Sequence, residues 1–209
     1  MRFFILLFAC LFLQNLSAQK IAITDEGEEV LLFNDGTWKY KQPKDREVED
    51  IFVNPKPFTY PEAASFKLKS KVTNMAFRLD PKVWKVTTDN ENEDAEYELE
   101  LRKGDGYAMM ITEEIPIPID NLMEIAIDNA REVAPDIEVV EREYRTVNGQ
   151  EVLLLHMEGT LTGIPIAYYG YYYSNDTGTL QFMTFTAQSI MKKYKSSFED
   201  LLNGLILQE

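Results

Sequence analysis

The chain has 209 residues, of which 35 are acidic and 21 basic, so its formal net charge at pH 7 is −14. A surface this acidic repels phosphate backbones and anionic lipids, which argues against nucleic-acid binding and against electrostatic membrane attachment. The single cysteine, Cys10, lies in an N-terminal apolar run, and removal of that run would exclude disulfides, thiol catalysis and cysteine metal sites.

The first eighteen residues have the three parts of a secretory signal peptide. Arg2 supplies the positive charge, residues 3–13 form an uninterrupted apolar run, and polar and small residues lead to Ala18. The apolar run is shorter than the roughly 20 residues that a membrane-spanning helix needs. We therefore expect cleavage between Ala18 and Gln19, export to the periplasm or the medium, and no transmembrane segment.

Lipidation of Cys10 is the alternative fate of this leader. A lipidated cysteine closes the apolar run and becomes the mature N-terminus. Here Leu11, Phe12 and Leu13 continue the run past Cys10. The layout therefore argues against a lipoprotein.

Residues 19–42 predict a small three-stranded β-meander, with strands at 21–24, 30–33 and 37–40 and glycine-containing turns between them. Such a meander is marginally stable by itself and needs a surface to pack against. Its end, D-G-T-W-K-Y, resembles a short segment that recurs at the start of many exported proteins of Gram-negative bacteria. Residues 43–64 follow with four prolines and mixed charge, which predicts a linker or a surface segment.

Residues 65–209 carry the regular signals of an α+β domain. Strands are predicted at 72–79, 97–102 and 107–112, then a helix at 121–133 with Asp120 as its N-cap. Four meandering strands are predicted at 137–147, 151–161, 164–174 and 179–187, because turn residues such as Asn148-Gly149 separate them.

A last helix is predicted from Ser196, which has capping-box spacing with Glu199. It is expected to end at Asn203, with Gly204 in the left-handed conformation that often closes a helix. Leu205 is assigned to its apolar face.

This order of elements, together with three groups of residues, resembles the PsbP-like superfamily, which includes the extrinsic photosystem subunit PsbP, the Ran-binding Mog-type proteins and bacterial envelope relatives. The groups are Leu79-Asp80-Pro81-Lys82-Val83-Trp84, where members often have an Asn/Asp-Pro-x-x-Trp turn, then Gly106-Tyr107-Ala108-Met109, and finally Tyr194-x-x-Ser197-Phe198 before Leu201-Leu202-Asn203-Gly204-Leu205. The resemblance covers residues 65–209. It implies an antiparallel sheet of about six to seven strands with helices packed on its faces, an α/β/α sandwich. It also implies a non-catalytic role as an accessory protein or adaptor that docks onto other proteins.

The stretch AYYGYYYS, residues 167–174, places five tyrosines around one glycine in a predicted strand. Because strand side chains alternate, Tyr169, Tyr171 and Tyr173 share one face, while Tyr168 and Tyr172 share the other. If the first face is exposed, its three rings form a platform for stacking a small ligand or glycan, or for binding a partner. If both faces are covered, the rings fill the core with their hydroxyls at its rim. Tyrosine is a strong strand former, which favours the packed arrangement.

His156 is the only histidine, and it stands between Leu155 and Met157 in a predicted strand. A hydrolase triad or a histidine metal site would have to use it. The sequence has no nucleophile-elbow glycine pattern, so a packed histidine is favoured.

The acidic stretch at 89–94 suggests a calcium loop at first sight. An EF-hand loop needs glycine at its sixth position, where Asp94 stands, so a solvated loop is favoured. No phosphate-cradling glycine loop or dinucleotide fingerprint occurs. The sequence therefore predicts neither a metal nor a cofactor.

The residues and the resemblance together predict an exported, non-enzymatic accessory protein of the bacterial envelope that binds another envelope protein. The main alternative is a binder of small ligands or carbohydrate that uses the strand from Tyr168 to Tyr173. A hydrolase built around His156 and carboxylates is a more distant alternative.

Overall fold

The computed structural model describes residues 20–24, 29–34, 36–40, 51–87 and 92–208. The predicted signal peptide, Cys10 and the cleavage site lie outside these residues, as does the first part of the acidic stretch at 89–94. Within the described residues the strands are β1 (Lys20–Ile23), β2 (Glu29–Leu32), β3 (Trp38–Tyr40), β4 (Phe52–Phe58), β5 (Phe66–Lys69), β6 (Met75–Leu79), β7 (Trp84–Val86), β8 (Tyr97–Leu101), β9 (Tyr107–Glu113), β10 (Glu138–Val147), β11 (Gln150–Leu161), β12 (Ile164–Asn175), β13 (Gly178–Ala187) and β14 (Leu205–Leu207), and the helices are α1 (Ile119–Val133) and α2 (Gln188–Leu202). Neither of these helices is long and apolar enough to cross a membrane.

Eight strands form the principal sheet, in the order β4-β10-β11-β12-β13-β9-β8-β7. The central strands of this sheet are joined by tight turns. The turn between β10 and β11 contains Asn148 and Gly149, whose φ angles are 48° and 85°. Two successive positive φ angles are what a two-residue type I′ hairpin requires. The turn between β11 and β12 repeats the geometry at Thr162 and Gly163, with φ angles of 48° and 84°.

The principal sheet is covered on both faces. Strand β11 is an example. Its even-numbered and its odd-numbered positions both carry apolar side chains, as expected for a strand that is buried on both faces. Val152 and Leu154 face the side that α2 covers together with a small sheet of order β14-β6-β5. Leu153, Leu155 and Met157 face the side that α1 covers. We call these two apolar layers the α2-side core and the α1-side core.

The sheet differs from the expected antiparallel sheet of six to seven strands. It has eight strands, and its edge pair β4–β10 is parallel. The additional strand β4 contains Pro55 and Pro57 and lies in the segment that the sequence assigns to a linker. Proline has no N–H to donate to a ladder, so it is excluded from central strands but is tolerated at an edge. The helices lie on opposite faces, as the expected sandwich requires.

Both helices begin earlier than the sequence predicts. Helix α1 begins at Ile119 with Pro118 at its N-cap, and no side chain caps it, so Asp120 lies in the first turn instead. Helix α2 begins at Gln188 rather than near Ser196. Its apolar face already includes Met191 and Tyr194, which are both buried.

The C-terminal end of α2 also differs from the expected left-handed glycine. Gly204 is needed for close packing instead, because a Cβ there would lie 2.0 Å from the carbonyl oxygen of Arg78. The carbonyl group of Gly204 accepts a hydrogen bond from the Arg78 N–H at 2.8 Å, which keeps the two backbones close together. The chain therefore leaves the helix directly into β14, and Leu205 belongs to that strand.

The N-terminal meander β1–β2–β3 forms as the sequence predicts. Ile23 packs against the α1-side core, and Val30 is buried. Ile23 thus brings the meander, which is marginally stable alone, into contact with the main domain.

Candidate functional site

The three candidate tyrosines lie inside the α2-side core. Tyr169 and Tyr171 have no exposed surface, and Tyr173 is 7% exposed. Helix α2 lies over β12 and β13 and covers this face. This corrects the platform interpretation, because stacking needs exposed ring faces and these three rings are buried. The structure instead has the packed arrangement.

The hydroxyls of these tyrosines are used in hydrogen bonds. Tyr169 donates to Oε1 of Glu199 on α2 at 2.9 Å, and Tyr171 donates to Oδ1 of Asn203 at 2.8 Å. Burial raises the pKa of Tyr171 to about 12, with nearby Arg145 partly opposing the increase. Burial likewise raises the pKa of Tyr169. Both phenols are therefore neutral at physiological pH and tie the sheet to the end of α2.

A buried arginine is the centre of this polar cluster. Arg145 on β10 donates from Nε to the Glu143 carboxylate and from Nη1 to the Tyr171 hydroxyl at 3.1 Å. Its guanidinium carbon lies 4.6 Å from the ring centroid of Phe58 on β4. The Asn54 amide on β4 donates to both oxygens of Glu143, at 3.1 and 3.2 Å. The cluster thus links β4, β10, β12 and α2 through hydrogen bonds and ring contacts, which indicates a role in stability.

The charge of Arg145 is maintained despite its burial. Burial alone would lower the pKa of the guanidinium. The adjacent phenol groups of Tyr171 and Tyr169 and the hydrogen bond to Glu143 outweigh this effect, so the pKa lies above its ordinary value.

On the other face of β12, Tyr172 lies in the α1-side core. It is completely buried, and burial raises the pKa of its phenol. Among the residues that the structure describes, its hydroxyl has no hydrogen-bond partner. Burying a hydroxyl without a hydrogen bond lowers the stability of the folded state. Tyr172 differs in this respect from Tyr171, whose hydroxyl is hydrogen-bonded.

His156 is packed rather than exposed at a surface. Its ring stands edge-on to Tyr169, with centroids 5.7 Å apart. Nε2 lies 3.3 Å from Oε1 of Glu158, but the geometry is not that of a hydrogen bond. Burial lowers the pKa of His156, against the opposing effect of Glu158 and Glu141. No group of three or more histidine, cysteine or acidic side chains that could hold a metal occurs in the described part of the chain.

A cleft of about 590 Å³ opens at one end of the principal sheet, beside the start of α1. Its walls are residues 116–119, Tyr144, Gln150-Glu151 and residues 173–176. We call it the hairpin-end cleft. Tyr173 is the one candidate tyrosine that lines it, and its hydroxyl donates to Oε1 of Gln150 at 2.9 Å.

Two further contacts hold the walls of the hairpin-end cleft. The backbone N–H of Ile117 donates to Oγ of Ser174 at 3.1 Å. The Tyr144 hydroxyl donates to Oδ1 of Asp120 at 3.3 Å. Burial, together with the charges of Asp120 and Glu151, raises the pKa of Tyr144 to about 12, so this hydroxyl keeps its proton.

The meander presents a pair of exposed aromatic rings on its edge strand β3. Trp38 is 56% exposed and Tyr40 is 50% exposed. Their ring centroids are 5.3 Å apart in an edge-to-face arrangement. We call these two side chains the aromatic pair. The W-K-Y spacing could have predicted it, since residues i and i+2 of a strand share a face.

No family model and no curated protein matches the chain. Among solved structures, the chain is similar to the cyanobacterial PsbP of Synechocystis sp. PCC 6803, with a TM-score of 0.50 and 15% identity over 70% of this chain and 94% of that one. The fold is PsbP-like.

Two weaker likenesses are to bacterial proteins. PA94 of Pseudomonas aeruginosa, a protein of unknown function, has a TM-score of 0.44 and 10% identity over 61% of this chain and 85% of that one. LpqN of Mycobacterium tuberculosis, involved in cell envelope biogenesis, has a TM-score of 0.41 and 8% identity over 69% of this chain and 90% of that one.

The sequence missed the two surface features of this PsbP-like chain. The hairpin-end cleft is formed by the segment before α1 and the ends of two hairpins. No local sequence pattern predicts that these segments lie next to each other. The sequence analysis also did not identify the buried polar pair Arg145 and Glu143.

Proposed function

We propose that the protein is an exported, non-enzymatic accessory protein that binds another protein of the bacterial envelope through its aromatic pair. The observation that carries the proposal is the half-exposed state of Trp38 and Tyr40 on an edge strand. Tryptophan and tyrosine are the side chains most enriched among residues that dominate binding energy at protein interfaces. Burying the exposed surface of both rings against a partner would contribute on the order of 2 kcal/mol to the free energy of binding.

The position of the meander supports the same role. Ile23 packs against the α1-side core, so the aromatic pair is presented from a sheet that contacts the main domain. Side chains on a supported sheet lose less conformational freedom on binding than the same side chains on a free tail.

The charge of the chain indicates what kind of partner surface fits. With a net charge of −14, the protein attracts a partner whose binding patch is surrounded by lysine and arginine. Rim charges of this kind act mainly on the association rate, so we expect faster capture at low ionic strength.

The test is recovery of the partner from the envelope fraction of the source cells with the immobilised mature chain, Gln19 to Glu209. The decisive variant is Trp38→Ser with Tyr40→Ser. The matched control is Ile164→Ser, which replaces an apolar side chain that is 59% exposed at the β11–β12 turn. The proposal predicts one protein in stoichiometric amount with the wild type and the control, and at least a tenfold loss with the double variant. Equal recovery by all three, or recovery of none, contradicts it.

A further inference from the structure

We propose that the hairpin-end cleft binds a short carbohydrate that carries no negative charge. This site is separate from the aromatic pair, and the inference does not depend on the proposed docking function. The cleft has a volume of about 590 Å³, which lies within the roughly 300–1,000 Å³ of small-ligand sites.

The polar groups of the cleft are already held in position. Tyr173 donates to Oε1 of Gln150, which orients the amide and leaves its NH₂ group to donate to a ligand. Ser174 accepts from the N–H of Ile117, which leaves the serine proton to donate. Fixed groups of this kind bind without a further loss of side-chain freedom.

The charged groups of the cleft select the ligand. Glu151 and Asp176 line it, and both are exposed acidic residues. The described residues that line it include no lysine, arginine or histidine. Phosphate, sulfate and carboxylate ligands are therefore repelled, whereas hydroxyl groups can donate to these carboxylates in charge-assisted hydrogen bonds.

The cleft also offers apolar surface for the C–H faces of a sugar. Pro116, Pro118 and Ile119 line one wall, and the half-buried ring of Tyr144 lies among the polar groups. The combination of donors, acceptors and apolar patches matches a sugar, in which each hydroxyl both donates and accepts next to C–H groups.

A peptide fits the cleft less well, because the neighbouring backbone is engaged. Gln150 pairs with Val147, and Asn175 pairs with Gly178. The N–H of Ile117 is used by Ser174. A peptide that added as a strand would find few free backbone groups here, so recognition must come from side chains.

The test is calorimetric titration of the mature protein with three neutral trisaccharides, cellotriose, maltotriose and triacetylchitotriose, and with trigalacturonate as the anionic counterpart. Chemical-shift changes in ¹H–¹⁵N spectra then locate the site. We expect saturable binding of at least one neutral trisaccharide, shifts at Ile117 and the Gln150 side chain, and no binding of trigalacturonate.

Two isosteric variants make the test specific. Glu151→Gln should weaken binding at least tenfold, because it removes a charged acceptor. Glu138→Gln changes an exposed glutamate of the same hairpin at its opposite end and should leave binding unchanged. Thermal unfolding of both variants checks that the fold is intact.

Three outcomes would overturn the proposal: no binding of any of the three neutral trisaccharides, equal binding of trigalacturonate, or equal effects of the two variants on binding. Loss of the docking function would leave each of these results unaffected.

Discussion

The guanidinium group of Arg145 donates to the hydroxyl of Tyr171 at 3.1 Å, and both side chains are buried between the principal sheet and α2. Tyr171 in turn donates to Asn203, at the end of α2. The charge of Arg145 is balanced by Glu143, which is also buried. One continuous polar path therefore runs from the edge of the sheet to the end of the helix.

Arg145→Met is expected to destabilise the protein by about 3 kcal/mol, because it leaves the Glu143 carboxylate buried without its cation. The free energy of unfolding in urea measures this. Arg131→Met is the matched control, since Arg131 pairs at 3.4 Å with Asp128 while more than half of its side chain is exposed. It should cost less than about 1 kcal/mol.

The double variant Arg145→Met with Glu143→Leu separates a buried charge from simple loss of packing. It should be more stable than Arg145→Met alone, because no unpaired charge remains inside. A double variant that is less stable than the single one would mean that Glu143 is not the group left unpaired.

Two neighbouring tyrosines should respond in opposite ways to loss of the hydroxyl. Tyr171→Phe removes the hydrogen bonds with Arg145 and Asn203 and should cost about 1–3 kcal/mol. Tyr172→Phe removes a buried hydroxyl that has no partner in the described part of the chain, and it should leave the stability unchanged or raise it. Thermal and urea unfolding of the two variants, side by side, measure the difference. Equal losses would show that the hydroxyl of Tyr172 is satisfied.

Gly204→Ala should destabilise the protein by more than about 2 kcal/mol, since the new methyl group would overlap the Arg78 carbonyl and force β14 away from β6. Gly163→Ala is the comparison. Its φ is +84°, but nothing lies within 4 Å of the added carbon, so only the left-handed conformation is penalised, by about 1–2 kcal/mol. Urea unfolding ranks the two, and a smaller loss at Gly204 would contradict the close packing.

Stability should fall with acidification through His156. Burial places the pKa of its imidazole below the ordinary 6.5, although Glu158 and Glu141 oppose the decrease and Lys195 adds to it. Above pH 6.5 the residue is neutral in both the folded and the unfolded chain. As the pH falls below 6.5, the imidazole is protonated in the unfolded chain before it is protonated in the folded protein. The free energy of unfolding therefore decreases until the pH falls below the lowered pKa that His156 has in the folded state.

Comparison with His156→Gln isolates this effect. The free energy of unfolding of both proteins is measured at pH 7.5 and pH 5.5. The wild type should lose more stability than the variant, because the titrating carboxylates are common to both. Equal losses would mean that His156 titrates in the folded protein as it does in the unfolded chain.

Local signals in the sequence were enough for the centre of the fold. The four strands β10 to β13 follow from apolar runs separated by turns such as Asn148-Gly149. Strand β4 could not be predicted in this way, because it pairs with a distant strand and its prolines argue against a central position. The early start of α2 was missed because capping-box residues at Ser196 suggested a later one.

The candidate site was predictable only in part. Alternation correctly divided the tyrosines between two faces, with Tyr171 on one and Tyr172 on the other. Whether a face is covered depends on where α2 lies, and this is a property of the whole chain. The hairpin-end cleft was not predictable at all, since Ile117 and Ser174 meet only in the folded structure.

Photo-crosslinking in the source cells tests docking through the aromatic pair most directly. A photoreactive phenylalanine derivative replaces Tyr40 in one strain and Phe66 in another, since Phe66 is also exposed, at 46%, but lies on the small sheet. Docking through the aromatic pair predicts one discrete cross-linked envelope protein from position 40 and none from position 66. No product from position 40, or the same products from both positions, would contradict docking through the aromatic pair.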